Sequence, residues 1–556
     1  MATTSSIQEK RLLFAKRSAK AWQNYFDAHG LLPNITLSPE QISVVQQEED
    51  QMLINGSAGS GKSLTLLFKL LKIMDQEADP KRILYCSYNQ TLIEDARKRI
   101  NQSERYHQIK GKHVLHMMTF HNAVTDILKE IGFANAHHMK MSLASIHRSE
   151  DLITRRTIVL QKVFMESSEY KRLPSEQKLY RTHEGKFLMD EILWMKANGF
   201  ITKEKYFECE RSGRGANPRL TKEQRKTIFT LFEMYSNMLK EKFQNHMDLE
   251  DYALSLLRYI DEIPESLKYD YIFVDEVQDL QAMQLKALIG LKKKSIVVSG
   301  DPKQRIYKRS PFSYKELGLN IEGRKHRNLK INFRSTKQIM QLASSIKFID
   351  EENDRYDNQN FVREGEIPSI HYFADSKKQN KFLLNEIKSI QCMDPGASIA
   401  IIHRHDYDQN ALRDCKVYDM LRHEFHVIDT KDYAKRFNLD QVRKPIFYTD
   451  AYSVKGLEFD YIFVIHFDRD HYPNSKRIED LDIRSGGNTT SETYERDYDD
   501  IINDEKKLLY VSITRARKKV QLLYTKPNPL HISQMIRDFN VKHYKAYGFK
   551  SKMYSK

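Results

Sequence analysis

A glycine-rich stretch near the start of the chain has the residue types and spacing of a phosphate-binding loop. Residues 56–63 read Gly-Ser-Ala-Gly-Ser-Gly-Lys-Ser and lie between an apolar run and a helical pattern. Backbone N–H groups of such a loop can approach phosphate oxygens, and the N-terminus of the following helix favours negative charge. Lys62 is expected to reach the terminal phosphates and Ser63 to ligate Mg²⁺. The predicted cofactor-binding residues of the loop are Gly56, Ser57, Ala58, Gly59, Ser60, Gly61, Lys62 and Ser63.

Two adjacent carboxylates follow a second apolar run. Residues 271–274 read Tyr-Ile-Phe-Val and precede Asp275 and Glu276. A carboxylate at the end of a buried strand can hold Mg²⁺, and a second one beside it can orient and deprotonate an attacking water. We assign these roles to Asp275 and Glu276, respectively. The loop and the carboxylates together predict hydrolysis of a bound nucleotide.

The string Asp-Glu-Val-Gln-Asp at 275–279 resembles motif II of the UvrD/Rep/PcrA-like superfamily 1 DNA helicases. Other motifs of that family occur in the expected order, so the resemblance extends from about residue 37 to residue 524. The matching strings are 37–41 for the Q motif, 299–307 for motif III, 332–335 for motif IV, 455–459 for motif V and 509–517 for motif VI.

This resemblance implies a role in ATP binding or hydrolysis for each matching residue. Gln41 is expected to read the adenine, Phe333 to stack on the base and Glu458 to lie near the ribose. Three residues are implied to contact the γ-phosphate, the last as a second arginine finger: Gln304, Arg334 and Arg515. Arginines from a second domain stabilise a transferring phosphoryl group only when that domain closes on the nucleotide. We therefore expect ATP binding to close the cleft.

The family resemblance also implies a path for single-stranded DNA across both domains. Tyr88, in the motif Ia position, and Tyr307 are candidates for base stacking, while Thr119 and His121 resemble a Thr-Phe-His backbone contact. Aromatic faces can hold successive bases, at ~1–3 kcal/mol each, without reading sequence, and basic side chains follow the phosphates. The alternative for both tyrosines is ordinary packing in a core.

Some positions depart from the family pattern. A stacking aromatic expected after Tyr307 is missing from 309–312, which read Arg-Ser-Pro-Phe, and 450–452 read Asp-Ala-Tyr where a histidine is expected. Only about forty residues separate the segment 401–410 from the opening of motif V at 450. The insertion called 2B in this family is therefore reduced to a stub or absent. These departures concern the grip on DNA more than the ATPase.

Apolar runs that alternate with helical patterns indicate parallel sheets of α/β domains. Sequence rich in Leu, Met, Lys and Glu between 120 and 269 predicts a mainly helical insert. The acidic stretch 484–504 is interpreted as a solvated loop. Predicted strands cover 51–55, 82–87, 114–118, 269–274, 295–299, 398–403 and 461–467.

We predict an α/β fold with two RecA-like P-loop NTPase domains, a helical insertion (1B) and a vestigial 2B. The predicted segments are an N-terminal helical extension at 1–33, domain 1A at 34–125 and 246–333, the 1B insertion at 126–245, domain 2A at 334–403 and 446–530, a reduced 2B-position insert at 404–445 and a basic C-terminal tail at 531–556. Lysines and aromatic residues interleave near the C-terminus. Two interpretations stay open for residues 541–556, a contact with nucleic acid or a solvated tail.

Composition sets limits that agree with this organisation. The chain has 556 residues, which is enough for several domains, and its aromatic content of 11% excludes a disordered polymer. A formal net charge of +15 favours a polyanionic partner without choosing between nucleic acid and an anionic membrane. The four cysteines are far apart and form no metal-binding pair. Without a signal-like or membrane-length apolar stretch, a cytoplasmic protein that does not enter the membrane is expected.

The motifs favour an ATP-dependent DNA helicase or translocase that uses Mg²⁺ and moves on single-stranded DNA. The family implies 3′-to-5′ movement, and RNA is not excluded as a partner. Two alternatives stay open. One is a DNA-stimulated ATPase subunit that acts with a protein partner as a sensor or switch, for example in an antiphage defence system. The other is an ATP-gated protein that binds nucleic acid or RNA polymerase.

Overall fold

Two parallel β-sheets, each covered by helices on both faces, organise the chain. The structure is a computed structural model. It describes residues 31–33, 35–88, 90–133, 143–180, 183, 185–211, 219–243, 247–301, 311–349, 360–404, 416–429, 442–484 and 492–554. Its strands are β1 (Gln51–Gly56), β2 (Arg82–Ser87), β3 (Val114–Thr119), β4 (Tyr269–Asp275), β5 (Lys292–Gly300), β6 (His326–Leu329), β7 (Ile331–Asn332), β8 (Asn360–Phe361), β9 (Ser369–Phe373), β10 (Ile399–His403), β11 (Val427–Ile428), β12 (Ile446–Asp450), β13 (Phe459–Val464), β14 (Ala516–Thr525) and β15 (Lys545–Tyr547).

The α-helices begin and end as follows: α1 (Pro39–Gln46), α2 (Lys62–Gln76), α3 (Gln90–Ile100), α4 (Glu104–Ile109), α5 (Phe120–Glu130), α6 (Leu143–Glu166), α7 (Ser168–Lys171), α8 (Lys186–Ala197), α9 (Lys203–Glu208), α10 (Lys222–Lys242), α11 (Leu249–Arg258), α12 (Ala282–Gly290), α13 (Lys337–Ser344), α14 (Ser376–Met393), α15 (Lys416–Glu424), α16 (Ser475–Arg484) and α17 (Glu492–Thr514). Among these helices, not one combines the length and the apolar character needed to span a bilayer.

The first sheet has the strand order β3-β2-β4-β5-β1-β6 and is parallel throughout. Alternate residues of each strand pack on opposite faces. In β1, Met52 and Ile54 face the core formed with α1, α2 and α3, while Leu53 faces the core with α5, α11 and α12. Because both faces are covered, the strands are nearly continuous apolar runs, which is why they were predictable. Their carboxyl ends meet at one edge, where Asp275 pairs with Ser87.

Helices α6 to α10 form a separate core between β3 and β4. Trp194 on α8 is buried in this core. The Lys196 Nζ of the same helix donates to Asp248 Oδ2 at 2.5 Å and to Asp251 Oδ2 at 2.8 Å. Both aspartates lie at the start of α11, which packs on the first sheet, so this buried ion pair attaches the helical insertion to that sheet. The predicted boundary at 125 falls inside α5, which continues to Glu130.

The second sheet has the strand order β11-β12-β10-β13-β14-β9-β15 and is also parallel. One face packs on α13 and α17 and the other on α14 and α15. Two parallel α/β units with a helical insertion confirm the predicted fold class.

The residues predicted as a basic tail are part of the second unit. Ile536 and Phe539 are buried in the core beneath α13 and α17, and β15 adds a parallel strand beside β9. Tyr544 is buried in the same core, so the interpretation of 541–556 as a solvated tail is wrong for its described residues, 541–554. Apolar residues spaced among the lysines bury enough surface to hold the segment in place.

Two further segments differ from the prediction. Within the 404–445 insert, residues 416–429 contain α15 and β11, and β11 extends the second sheet beside β12. Residues 492–504 are helical instead of a solvated loop, because Ile501 is buried and Glu505 pairs with Arg404 at 2.5 Å and Arg477 at 2.8 Å. Tertiary ion pairs thus stabilise an acidic helix. Residues 1–30, the bulk of the predicted N-terminal extension, lie outside the described residues.

Candidate functional site

The predicted phosphate loop joins β1 to α2 at the carboxyl edge of the first sheet. Gly59 and Gly61 have φ values of 86° and 81°, which glycine adopts without steric cost. A Cβ on Gly59 would lie 2.8 Å from Asn332 Oδ1, so a larger residue there would displace the neighbouring segment. Lys62 is buried at the start of α2, and its Nζ donates to the carbonyls of Gly56 (2.8 Å) and Ser57 (3.0 Å). The ammonium group therefore lies within the curve of the loop.

Neighbouring strands fix the carboxylate of Asp275 at the end of β4. Tyr85 on β2 donates its hydroxyl to Oδ2 at 3.1 Å, and Ser299 on β5 donates to Oδ1 at 2.6 Å. The Ser63 side chain is also hydrogen-bonded to this carboxyl group. Burial, then the charge of Glu276, raises the pKa of Asp275. A hydroxyl and a carboxylate in contact are hard oxygen ligands of the kind Mg²⁺ prefers, so this pair fits a magnesium site.

Glu276 has a left-handed backbone conformation. Its φ of 55° is uncommon for a residue other than glycine. Burial raises the pKa of its carboxyl group, but the positive charges of Lys62, Lys455 and Arg515 outweigh burial and hold that pKa below its ordinary value. Gln278 Nε2 donates to Glu276 Oε2. The side chain is thus an oriented, ionised carboxylate at the phosphate loop.

The segment that leaves the first sheet is attached to the phosphate loop through Asn332. Its Nδ2 donates to the Ala58 carbonyl at 2.7 Å, and its Oδ1 accepts the N–H groups of Arg334 (3.0 Å) and Ser335 (3.2 Å). The Phe333 N–H donates to the Gly59 carbonyl at 3.0 Å. Asn332 had no predicted role, although its position inside motif IV was a usable signal.

Three arginines surround Glu458, which the second unit contributes. Arg334 Nη2 pairs with Oε1, while Arg517 donates to Oε2 from Nη2 at 2.7 Å and from Nε at 3.1 Å. Burial raises the pKa of Glu458, but Arg334, Arg517 and then Arg515 lower it to about 2. Arg515 itself is buried, and burial together with the charge of Arg334 lowers its pKa. The contact between Arg517 and Glu458 was not predicted from the sequence, because it depends on the pairing of two parallel strands.

A buried ion pair crosses between the two units beside this cluster. Lys455 Nζ of motif V donates to Asp279 Oδ1 of motif II, and their side chains are only 6% and 7% exposed. Both residues lie within predicted motif strings, yet sequence gave no sign that they touch. The pair couples the carboxylate segment of the first unit to the second.

A cleft of about 620 Å³ lies between the two units and collects most of the predicted nucleotide residues. Those lining it are Ala58, Gly59, Gly61, Lys62, Ser63, Asp275, Glu276, Phe333, Arg334, Glu458 and Arg515. Gln41 is buried at its margin, where its Nε2 donates to the Ser60 carbonyl at 3.4 Å and its Oε1 accepts from the Ser38 N–H. Gln304 lies outside the described residues.

The predicted nucleic-acid residues have mixed surroundings. The Tyr88 side chain is 44% exposed and therefore is not an ordinary core tyrosine. Thr119 caps α5, since its hydroxyl accepts the Asn122 N–H at 3.5 Å. A ring nitrogen of His121 lies 3.2 Å from the Leu249 carbonyl, and Tyr307 is outside the described residues.

Asp450 stands where the family pattern places no acid, and its carboxylate accepts hydrogen bonds within a local turn. Its Oδ1 accepts the N–H groups of Tyr452 (2.8 Å) and Ser453 (3.0 Å), and its Oδ2 accepts the Ser453 hydroxyl at 2.6 Å. These bonds hold the Asp450 carboxylate within the turn that follows β12.

The fold and the cleft are those of a P-loop nucleotide-binding protein with two RecA-like domains. Two family models match the chain, the UvrD/REP helicase N-terminal domain over residues 37–309 and the UvrD-like helicase C-terminal domain over residues 431–527. Together they match well over half of the chain, which belongs to the UvrD-like helicase family.

Similar proteins of several bacteria carry helicase names. DNA helicase IV of Escherichia coli (strain K12) is 21% identical over 540 residues, which cover 93% of this chain and 72% of that protein. ATP-dependent DNA helicase PcrA of Staphylococcus epidermidis is 23% identical over 325 residues, 56% of this chain and 40% of that protein. The candidate ATP-dependent DNA helicase YjcD of Bacillus subtilis is 23% identical over 374 residues, 64% and 44% respectively. The chain thus spans less than half the length of the last two relatives.

Proposed function

We propose that this protein hydrolyses ATP to move along single-stranded DNA, in the 3′-to-5′ direction. One observation carries the proposal. Lys62 and Glu276 of the first unit share a single cleft with Glu458 and Arg515 of the second unit, and Arg334 reaches the same cleft from the segment between the units. A cleft that needs both units for its charges links phosphate chemistry to their relative position.

In this mechanism the first unit binds the nucleotide, and the second unit adds positive charge that stabilises the transition state. The loop N–H groups and Lys62 hold the phosphates, and Glu276, ionised and oriented by Gln278, accepts a proton from the attacking water. Ser63 and Asp275 would hold Mg²⁺, which neutralises phosphate charge when bound. Arg334 and Arg515 stabilise the charge that develops on the transferring group. Gln304 is proposed to sense the γ-phosphate.

The remaining predicted residues are proposed to bind the nucleoside part of ATP and the DNA strand. Gln41 and Phe333 are proposed to hold the adenine, and Glu458 the ribose. Tyr88 and Tyr307 are proposed to stack on DNA bases, with Thr119 and His121 near the backbone. Closure around ATP moves the two units relative to the strand, and product release resets them.

The experiment is steady-state ATPase activity of the full chain with single-stranded DNA, single-stranded RNA, duplex DNA or no nucleic acid. We expect ATP turnover that single-stranded DNA stimulates and that rising salt weakens. Translocation assays on strands labelled at the 3′ or the 5′ end then test direction. Turnover that single-stranded DNA does not change would contradict the proposed coupling.

A second candidate, a DNA-stimulated ATPase that acts as a switch with a protein partner, rests on one specific observation. In the described part of the 2B-position insert, α15 packs on the second sheet and β11 is an edge strand of that sheet, so these elements belong to the second unit. Unwinding of 3′-tailed duplexes by the protein alone would favour the helicase. ATP turnover without unwinding, with unwinding regained when a partner is added, would favour the switch. Nucleotide binding without any turnover would instead select an ATP-gated binding protein.

A further inference from the structure

Glu458 is bonded on each of its two carboxylate oxygens by a different arginine. Oε1 pairs with Arg334, which lies just after β7, and Oε2 accepts two N–H groups of Arg517 on β14. The parallel pairing of β13 with β14 places Phe459 opposite Ala516. Glu458 precedes Phe459 and Arg517 follows Ala516, so their long side chains can meet. The second sheet therefore supplies Glu458 and Arg517, and the segment between the units supplies Arg334.

The proposed function makes conflicting demands on these residues. Arg334 is proposed to act at the γ-phosphate, but in the structure it is paired with Glu458. The Glu458 side chain is only 22% exposed, and removing one partner of a largely buried ion pair leaves a poorly solvated charge. If Arg334 were the sole partner, its transfer to a phosphate would strand the carboxylate that is proposed to hold the ribose.

We propose that Arg517 is a positioning residue that holds Glu458 in place while Arg334 transfers from Glu458 to the phosphates of ATP. This inference rests on the proposed ATP site. Arg517 uses the oxygen that Arg334 does not, so the two arginines do not compete. Its planar guanidinium donates two bonds to that oxygen, which fixes the carboxylate after Arg334 has left.

Other charges near Glu458 do not replace this contact. Arg515 is buried and also faces Glu276, and Arg99 is bonded to Asp95 at 2.7 Å. Both contribute positive potential at Glu458. Arg517 is 38% exposed at the rim of the cleft, so it can keep its contact with Glu458 as the cleft changes shape.

The inference makes a specific prediction for R517Q. Without Arg517, ATP must detach Arg334 from a carboxylate that depends on it, so kcat/KM for ATP falls about tenfold. E458Q removes the carboxylate and with it the cost of detaching Arg334. R517Q added to E458Q should therefore change kcat/KM by less than about twofold. R517K keeps the charge but loses the two-bond geometry, and we expect it to restore activity in part.

K518Q is the matched control, because Lys518 is the next residue of the same strand and also carries one positive charge. Its Nζ pairs with Asp394 at 2.5 Å, away from the cleft. We expect K518Q to keep the kcat/KM of the wild type. Thermal unfolding of every variant separates loss of fold from loss of activity.

The assay is ATPase kinetics of the full chain with saturating single-stranded DNA, together with binding of a fluorescent ATP analogue. An equal loss from R517Q in the wild-type and E458Q backgrounds would assign Arg517 a structural role and overturn the inference. So would R517Q activity equal to that of K518Q. In both outcomes an active wild type leaves the proposed function standing. A wild type that neither binds nor hydrolyses ATP would overturn the proposed function and this inference together.

Discussion

The two parallel units differ in what they bring to the cleft between them. The first contributes a backbone loop, a lysine bonded to the carbonyls of that loop, and two carboxylates, of which Asp275 is bonded to side chains of neighbouring strands. The second contributes charged side chains, Arg515, Arg517 and Glu458, and its described residues include no glycine-rich phosphate loop. In the proposed function the first unit therefore binds the nucleotide, while the second acts only when the two units are together. This asymmetry makes the distance between the units part of the chemistry.

Arg515→Ala should give the largest effect, because it removes the second unit's buried cation from the phosphates. Arginine fingers contribute ~10³–10⁵ in kcat, and we expect a loss within that range. Binding of a fluorescent ATP analogue should change little, since the phosphate loop belongs to the first unit. Single-turnover hydrolysis and equilibrium binding measure the two effects separately. A loss of binding as large as the loss of hydrolysis would contradict the division between the units.

Glu276→Gln tests the first unit's own contribution to hydrolysis. The amide keeps the size of the side chain but cannot accept the proton of the attacking water, so kcat should fall ~10²–10⁴-fold. ATP should stay bound, which predicts a stable complex in a filter-binding assay. The control is Asp270→Asn, at the opposite end of the same strand, with near-normal kcat expected. Normal turnover by Glu276→Gln would remove this residue from the mechanism.

Lys455→Met breaks the buried ion pair between the units. Removing one partner of such a pair costs about 3–5 kcal/mol, because Asp279 is left as an uncompensated buried charge. Urea unfolding should show a lower midpoint. Adding Asp279→Asn to Lys455→Met should recover part of the loss, since it removes that charge. If Lys455→Met unfolds like the wild type, the pair does not hold the units together.

Asn332→Ala tests the attachment of the inter-unit segment to the phosphate loop. The Ala58 carbonyl and the N–H groups of Arg334 and Ser335 would lose their partner, which costs about 1–3 kcal/mol for buried groups. We expect weaker ATP binding together with a lower unfolding midpoint. Asn332→Asp keeps the acceptor oxygen but not the Nδ2 donor, so the two variants separate the contacts. An unchanged ATP affinity in both would show that the loop holds its shape alone.

We expect the smallest effect from Glu458, on the way the free energy of unfolding depends on pH. The pKa of Glu458 is about 2, below its ordinary value of 4.5, so the folded state favours the ionised form. Its contribution to stability is fully present above pH 4.5 and is lost as the pH falls towards 2. Glu458→Gln should therefore reduce the slope of stability against pH in that window. An identical acid profile for wild type and variant would contradict the low pKa.

Local patterns were enough where the chemistry is local. The phosphate loop, Asp275 and Glu276 each depend on a short string that follows an apolar strand, and the structure brings them together at one sheet edge. The acidic stretch before motif VI was misread because its helix depends on distant partners, Arg404 and Arg477. The C-terminal segment was misread for a related reason, since its few apolar residues matter only against a core formed elsewhere.

The sequence by itself determined the α/β class, the two parallel units and the residue types at the nucleotide cleft, because strands buried on both faces and glycine-rich turns leave signals that are contiguous in the chain. The tertiary structure decided which charges meet. Asn332 on the Ala58 carbonyl, Lys455 on Asp279, and Arg517 beside Arg334 on Glu458 are all contacts between separate segments. Pairing of this kind depends on strand order and on the approach of two sheets, which no local pattern encodes.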